Sequence, residues 1–97
     1  MKTRYEWDPE KAAANLRKHN LSVEFAITGF DGFCDDDVDR SADCGETRYT
    51  AVGLAGGFGV FIVYTEDDQT GVRRIISARR ANARERKKFC AAARDER

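Results

Sequence analysis

The residues best suited to chemistry gather toward the C-terminal end. Arg74, Ser77 and Arg79 fall within one predicted strand with Arg80 directly after it, and Arg84, Lys87 and Lys88 on the helix that follows. Side chains alternate across a strand. Strict alternation puts Val72, Ile76 and Ala78 on one face with Arg74 and Arg80. It puts Arg73, Ile75, Ser77 and Arg79 on the other. The first set is expected to be the core side; the second offers two guanidiniums and a hydroxyl on one surface. Strand and helix together then predict a basic patch around Arg79, Arg80, Arg84, Lys87 and Lys88. A planar guanidinium fork fits phosphate, and a cluster of cations fits a phosphodiester backbone. The same residues also suit a plain solvated helix face.

His19 is the sole histidine. Its unperturbed pKa lies near neutrality, so it is the natural general acid or base. It also stands at the end of a predicted helix, where an imidazole can serve as a dipole partner or pack beside Ala12 and Leu16. Lys18 beside it adds positive charge or simply faces solvent. Trp7, just before that helix, reads more readily as a hydrophobic staple than as a stacking platform.

The acidic stretch needs its own reading. Asp35, Asp37, Asp39, Ser41, Asp43 and Glu46 occupy positions 1, 3, 5, 7, 9 and 12 of a twelve-residue calcium loop. Arg40 sits where such a loop needs glycine, and the residues before it make a poor entering helix. An acidic solvated loop, or one that screens the basic patch, is the favoured reading. Cys34, Cys44 and Cys90 are widely spaced, with neither a CxxC pair nor a second histidine. No zinc site or disulfide framework is expected from that spacing, and no metal or cofactor is assigned.

These groups must be positioned by a short series of elements. Asp8-Pro9 opens a helix over Glu10 to His19, with Asn20 as a left-handed stop. Ser22 caps a shorter helix, Val23 to Thr28, ended by Gly29. A short strand is expected around Val38. Arg48–Leu54, Val60–Thr65 and Val72–Arg79 follow as strands, separated by hairpin loops at residues 55–57 and 67–71. Asn82-x-x-Glu85 resembles a capping box and opens a helix to about Arg94. Helices before and after consecutive antiparallel strands predict an α+β layer fold.

The 97 residues suit one domain spanning 1–97. A mean hydropathy of −0.64 and a longest apolar run of five residues, Val60 to Tyr64, exclude a membrane-spanning helix, which needs about 20. MKTRYEWDPE carries no apolar signal core, so a cytoplasmic location is expected. Seventeen basic and seventeen acidic residues cancel, which at first argues against a nucleic-acid partner. The distribution says otherwise: residues 1–23 carry +2, residues 24–68 carry −9 and residues 69–97 carry +7. Such asymmetry points to polyanion binding at the basic end, unless the acidic segment neutralises that end within the fold.

YEWDPEKAAANLRKHNLSVEFA, GETRYTAVGL, VYTE and RRIISARRANARERKKF occur in this order, and together they resemble the BrnT family of type II toxins. The resemblance spans nearly the whole chain. It implies a RelE-like α+β fold with two N-terminal helices, a three- to four-stranded antiparallel sheet and a C-terminal helix. It implies a ribonuclease neutralised by a cognate BrnA-like antitoxin that carries a ribbon-helix-helix DNA-binding part. Operator DNA would be bound only through the antitoxin complex. The family-matching positions are Trp7, Asp8, Lys11, Asn15, Lys18, His19, Glu46, Arg48, Tyr64, Arg74, Ser77, Arg79 and Glu85. Asn20 stands where glycine is usual, and Phe89 where tyrosine is common.

The resulting expectation is a metal-independent endoribonuclease toxin. RNA cleavage without metal needs a base for the 2′-hydroxyl, an acid for the leaving oxygen and cations for the phosphorane charge. Arg79 is expected to stabilise that charge, with Arg74 or Arg80 assisting. His19 is the acid–base candidate, and Ser77 and Arg48 are positional candidates. Lys18, Arg80, Arg84, Lys87 and Lys88 would bind RNA. The rival is a non-catalytic module whose basic face docks an acidic antitoxin segment or nucleic acid without turnover.

Overall fold

A computed structural model describes residues 4–39 and 47–95. Helix α1 spans Pro9–His19. Asp8 caps it, its Oδ1 accepting the Glu10 N–H at 2.9 Å, and Pro9 fills the first turn, where a missing N–H costs nothing. Asn20, at φ 54°, ends it in the left-handed region, where a non-glycine residue is best tolerated when it is Asn. Ser22 caps α2, Val23–Ala26, through the Phe25 N–H. The single turn of α2 gives way to a 3₁₀ turn, Ile27–Phe30, in place of the one helix expected to Thr28.

Five strands form one sheet among the described residues. They are β1 (Tyr5–Glu6), β2 (Asp35–Asp39), β3 (Arg48–Ala55), β4 (Phe58–Glu66) and β5 (Arg73–Arg80), in the order β1-β5-β4-β3-β2. The α+β class holds, but the expected three- to four-stranded antiparallel sheet is corrected to a five-stranded mixed one. The added strand is β1, which runs parallel to β5 with Tyr5 opposite Arg73 and Glu6 opposite Arg74. Two residues show no periodicity to read. The C-terminal helix, α3, spans Ala83–Asp95, giving three α-helices where the chain was expected to have the same number with a longer second one.

One face of the sheet carries the main core. Ala51, Ala55, Val60, Ile62, Tyr64, Ile75 and Ala78 pack there with Leu21, Val23 and Ala26 from the α1–α2 region. The 3₁₀ turn presses so closely on β3 that a Cβ at Gly53 would lie 2.3 Å from the Gly29 carbonyl oxygen. The opposite face holds a smaller cluster of Val52, Ala81 and Phe89, flanked by Phe33 and Phe61, which anchors α3. Asn15 joins α1 to the sheet edge. Its carboxamide donates to the Ala78 carbonyl at 2.8 Å and to the Leu21 carbonyl at 3.1 Å, and accepts the Ala78 N–H at 3.1 Å. A buried side chain thus takes the place of a neighbouring strand where β1 has already ended.

The alternation read along β5 is broken. Ser77 pairs with Val63, but Ile75 pairs with Tyr64, leaving Ile76 as an extra residue. Such a bulge reverses the facing of everything beyond it. Arg74 therefore joins Ser77 and Arg79, while Arg73 goes with Ile75 and Arg80 to the α1–α2 face.

Candidate active site

The α3 face of the sheet is a grid of three cross-strand rows. Strand registers align Asp35, Val52, Phe61 and Arg79 in the first, and Asp37, Thr50, Val63 and Ser77 in the second. Asp39 and Arg48, with Thr65, Arg74 and Glu6, make the third.

Arg79 is the most heavily organised residue of the grid. Its guanidinium stacks 4.1 Å from the Phe61 ring centroid and forms a two-pronged pair with Glu85, both bonds 2.8 Å. Glu85 also closes the capping box of α3. Its Oε1 accepts the Asn82 N–H at 2.9 Å, while Asn82 Oδ1 accepts the Glu85 N–H at 2.8 Å. Burial disfavours the Glu85 carboxylate, but the Arg79 hydrogen bonds, the Asn82 N–H and the charge of Arg79 outweigh it. The net effect holds the carboxyl below the usual carboxylate range. One carboxylate thus fixes both the start of α3 and the plane of Arg79. Sequence reasoning saw only the cap; the signal for the second task was an Arg and a Glu six residues apart, at a strand end and a helix start.

Arg74 lies five residues back along β5, about 16 Å away at the rise of a strand. The two guanidiniums are held by different carboxylates, Arg79 by Glu85 and Arg74 by Glu6, and do not converge on one point. Arg74 pairs with Glu6 at 3.4 Å, with both side chains more than half exposed. It lines a hollow of about 380 Å³ together with Glu6, Thr65, Glu66, Asp67 and Thr70. That hollow is acidic on balance, which opposes an anionic ligand. Arg48 belongs to the same end of the sheet. Ser77 sits in the middle row, two residues from Arg79 and half-buried.

The predicted basic patch is corrected at Arg80 and Lys88, and the predicted strand face at Arg73. Arg80 faces away from Arg79, its guanidinium 5.1 Å from the Phe58 ring on the α1–α2 side. Lys88 reaches across to β2, 3.2 Å from Asp37 and 3.8 Å from Asp35, and those carboxylates raise its pKa. Arg73, expected beside Ser77 and Arg79, instead pairs with Glu66 at 2.9 Å and lies over Phe30 and Tyr64. Arg84 and Lys87 remain exposed on α3 without an ion pair among the described residues.

His19 is half-buried on α1, one turn beyond Asn15 and so near the β5 edge at Ala78. Among the described residues no hydrogen bond or ion pair ties it to Arg79, Ser77 or Arg74. Lys18 is exposed on the same turn.

The calcium-loop spacing does not survive in the first half of that stretch. Asp35–Asp39 is an extended strand paired with β3. Asp35, Asp37 and Asp39 then stand in a line about 6.6 Å apart, rather than converging on one ion. Residues 40–46 lie outside the described residues, and no metal-ligand cluster occurs among the described ones. Cys34 donates to the Gly29 carbonyl at 3.0 Å, and burial, helped by Asp36, pushes its thiol up to about 11. Cys90 is exposed and free, and Cys44 lies outside the described residues.

No curated protein matches the chain. The profile of the family described as "Ribonuclease toxin, BrnT, of type II toxin-antitoxin system" matches residues 7–85. That span runs from Trp7 through strands β2 to β5 to Glu85, the partner of Arg79. The chain belongs to the BrnT family of ribonuclease toxins of type II toxin-antitoxin systems.

Proposed function

We propose that this chain is an endoribonuclease that cleaves RNA without a metal ion and arrests growth until a cognate antitoxin neutralises it. The observation that carries this reading is Arg79, held in one plane by Glu85 and Phe61 on the α3 face of the sheet, with Ser77 beside it. A guanidinium fixed before substrate arrives loses little entropy on meeting a phosphorane, and preorganised charge is the largest source of stabilisation in such reactions. The 2′-oxygen attacks the adjacent phosphorus, the bond to the 5′-oxygen breaks, and a cyclic phosphate and a 5′-hydroxyl result.

His19, one helical turn past the Asn15 that bonds Ala78, supplies acid–base chemistry to a strand crossing the β5 edge. Arg84, Lys87 and Lys18 hold the phosphodiester backbone. Arg74 and Arg48 contact RNA further along the sheet, beyond the reacting phosphate. The neutralising partner is a BrnA-like ribbon-helix-helix protein, and operator DNA is bound through that complex.

The test is cleavage of RNA by the purified chain, with chelator present, compared with Arg79→Ala. We expect chelator-insensitive cleavage and a loss of at least about a hundredfold in Arg79→Ala, the scale of removing a transition-state donor. Intact RNA with wild-type protein, and no growth arrest on expression, would sink the reading. One observation favours the non-catalytic alternative: the forks of Arg79 and the ammonium of Lys88 are already engaged by carboxylates. Salt-dependent binding with RNA recovered whole would establish it.

A further inference from the structure

On the face of the sheet away from Arg79, α1 and the β3–β4 hairpin leave an apolar groove. Its wider part, about 370 Å³, is lined by Leu16, Leu21, Phe25, Phe58 and Val60, with Arg80 at its rim. A second hollow of about 280 Å³ continues it past Trp7, Ala12 and Val23, sharing Leu16 and Ser22 with the first. Leu16 is 46% exposed, Phe25 38% and Phe58 52%. Contiguous apolar exposure of this kind marks an interaction surface.

We infer that this groove is the docking site for an amphipathic segment of the antitoxin, apolar along one side, with carboxylates at the end that meets Arg80. The inference rests on the proposed toxin function, because a type II toxin works with a protein partner. Charge selects the occupant. Arg80 lines the Phe58 end, its guanidinium 5.1 Å from the Phe58 ring, and forms no ion pair among the described residues. Glu24 lines the Trp7 end. The groove is therefore polar lengthwise, cationic at one end and anionic at the other, which fixes the direction in which a charged segment lies. Its lining is mainly apolar, with Asn20, Ser22 and Arg80 as the polar members, so the apolar side of a protein segment fits better than RNA. Two hollows joined at Leu16 also suit an extended segment rather than a small molecule.

The test uses the full chain and, as probe, the tagged product of the reading frame adjoining its gene. Wild-type chain should co-purify with it. Leu16→Glu and Phe58→Glu, each checked for native circular dichroism and cooperative melting, should bind about thirtyfold more weakly or worse, as buried interface anchors do. Leu54→Glu, exposed on the opposite sheet face, should bind within about threefold of wild type, as a substitution outside an interface does. In cells, Leu16→Glu should still arrest growth but escape rescue by the partner. If a glutamate variant fails to fold, Leu16→Ser and Phe58→Ser at the same exposed positions put the same question.

Folded variants that keep wild-type affinity overturn the inference. So does a loss of oligoribonucleotide binding with partner affinity intact, which would make the groove an RNA platform. A wild-type dimer dispersed by Leu16→Glu would assign the groove to a second copy and overturn it too. Failure of the wild-type chain to bind the probe at all overturns the partner reading beneath it. RNA cleavage by wild-type chain, measured separately, distinguishes that failure from failure of the catalytic reading.

Discussion

Arg79 and Glu85 show how much one pair can organise. The carboxylate accepts from two guanidinium nitrogens and from the N–H of Asn82, the cap residue before α3. Glu85→Gln keeps the shape and one acceptor for the cap but removes the charge that Arg79 meets. We expect a stability loss of only about 1 kcal/mol, because the Arg79 side chain is 36% exposed and solvent screens the pair. The pH dependence is the sharper readout. Glu85 has its folded pKa lowered, so its contribution is fully present above the ordinary glutamate value and is lost as pH falls through the folded one. Urea unfolding at neutral pH and near pH 3 should show a smaller difference for Glu85→Gln than for wild type. Equal differences in the two proteins would mean that the pair contributes nothing. The capping half of this arrangement was legible from Asn82-x-x-Glu85 alone, since a cap is made by residues three apart. The Arg79 half was not, because it depends on where β5 ends relative to α3.

Among the elements, β5 departs furthest from its sequence pattern. Period-two alternation separates Arg74 from Arg79; the extra residue at Ile76 reunites them on one face and sends Arg80 to the other. Nothing within the β5 sequence announces a bulge, whose position is set by how Tyr64 and Ile75 pack together into the core. The free edge of β5 explains Asn15. A polar residue midway along an amphipathic helix reads as unremarkable in sequence, yet it is buried and saturates both backbone groups of Ala78. Asn15→Ala strands a buried N–H and a buried carbonyl, each costing about 1–3 kcal/mol when left unpaired. We expect a destabilisation of about 3 kcal/mol by chemical denaturation, together with faster amide exchange at Ala78. A loss below about 0.5 kcal/mol, the size of an ordinary surface substitution, would show that water replaces the carboxamide.

At the scale of the molecule, the net charge of zero is realised partly as contacts. Three of the four β5 arginines pair with carboxylates, Arg73 with Glu66, Arg74 with Glu6 and Arg79 with Glu85. Lys88 is held by the acidic β2. The neutralising role that sequence allowed for the acidic segment is therefore real for Arg73 and Lys88, while Arg84, Lys87 and the α1 cations form no ion pair among the described residues. Those aspartates also line an edge strand, where charge discourages pairing with another chain. The core makes a separate prediction about alkaline pH. Burial raises the Cys34 thiol to about 11 and the Tyr64 phenol to about 12, from ordinary values of 9.0 and 10.0. Both groups must stay protonated to remain in place, so stability should hold up to about pH 9 and fall from there toward 12. Thermal melts across that range check it, and Cys34→Ala should delay the onset. A melting temperature unchanged between pH 8 and 11 would contradict it.

Sequence by itself determined the features that short stretches of chain decide. Asp8-Pro9, Ser22 and Asn82-x-x-Glu85 start their helices because caps are bonds to the next few residues, and Asn20 stops α1 for the same local reason. The core strands followed from apolar runs bounded by glycine-containing turns, and the ordered motifs identified the family. The tertiary structure alone decided what depends on distant partners: β1 against β5, Asn15 against Ala78, Lys88 against β2, and the facing of Arg74, Arg79 and Arg80. These are questions of register and of which element lies across the sheet. A one-residue shift in either changes the face a side chain occupies without changing the local pattern from which it is read.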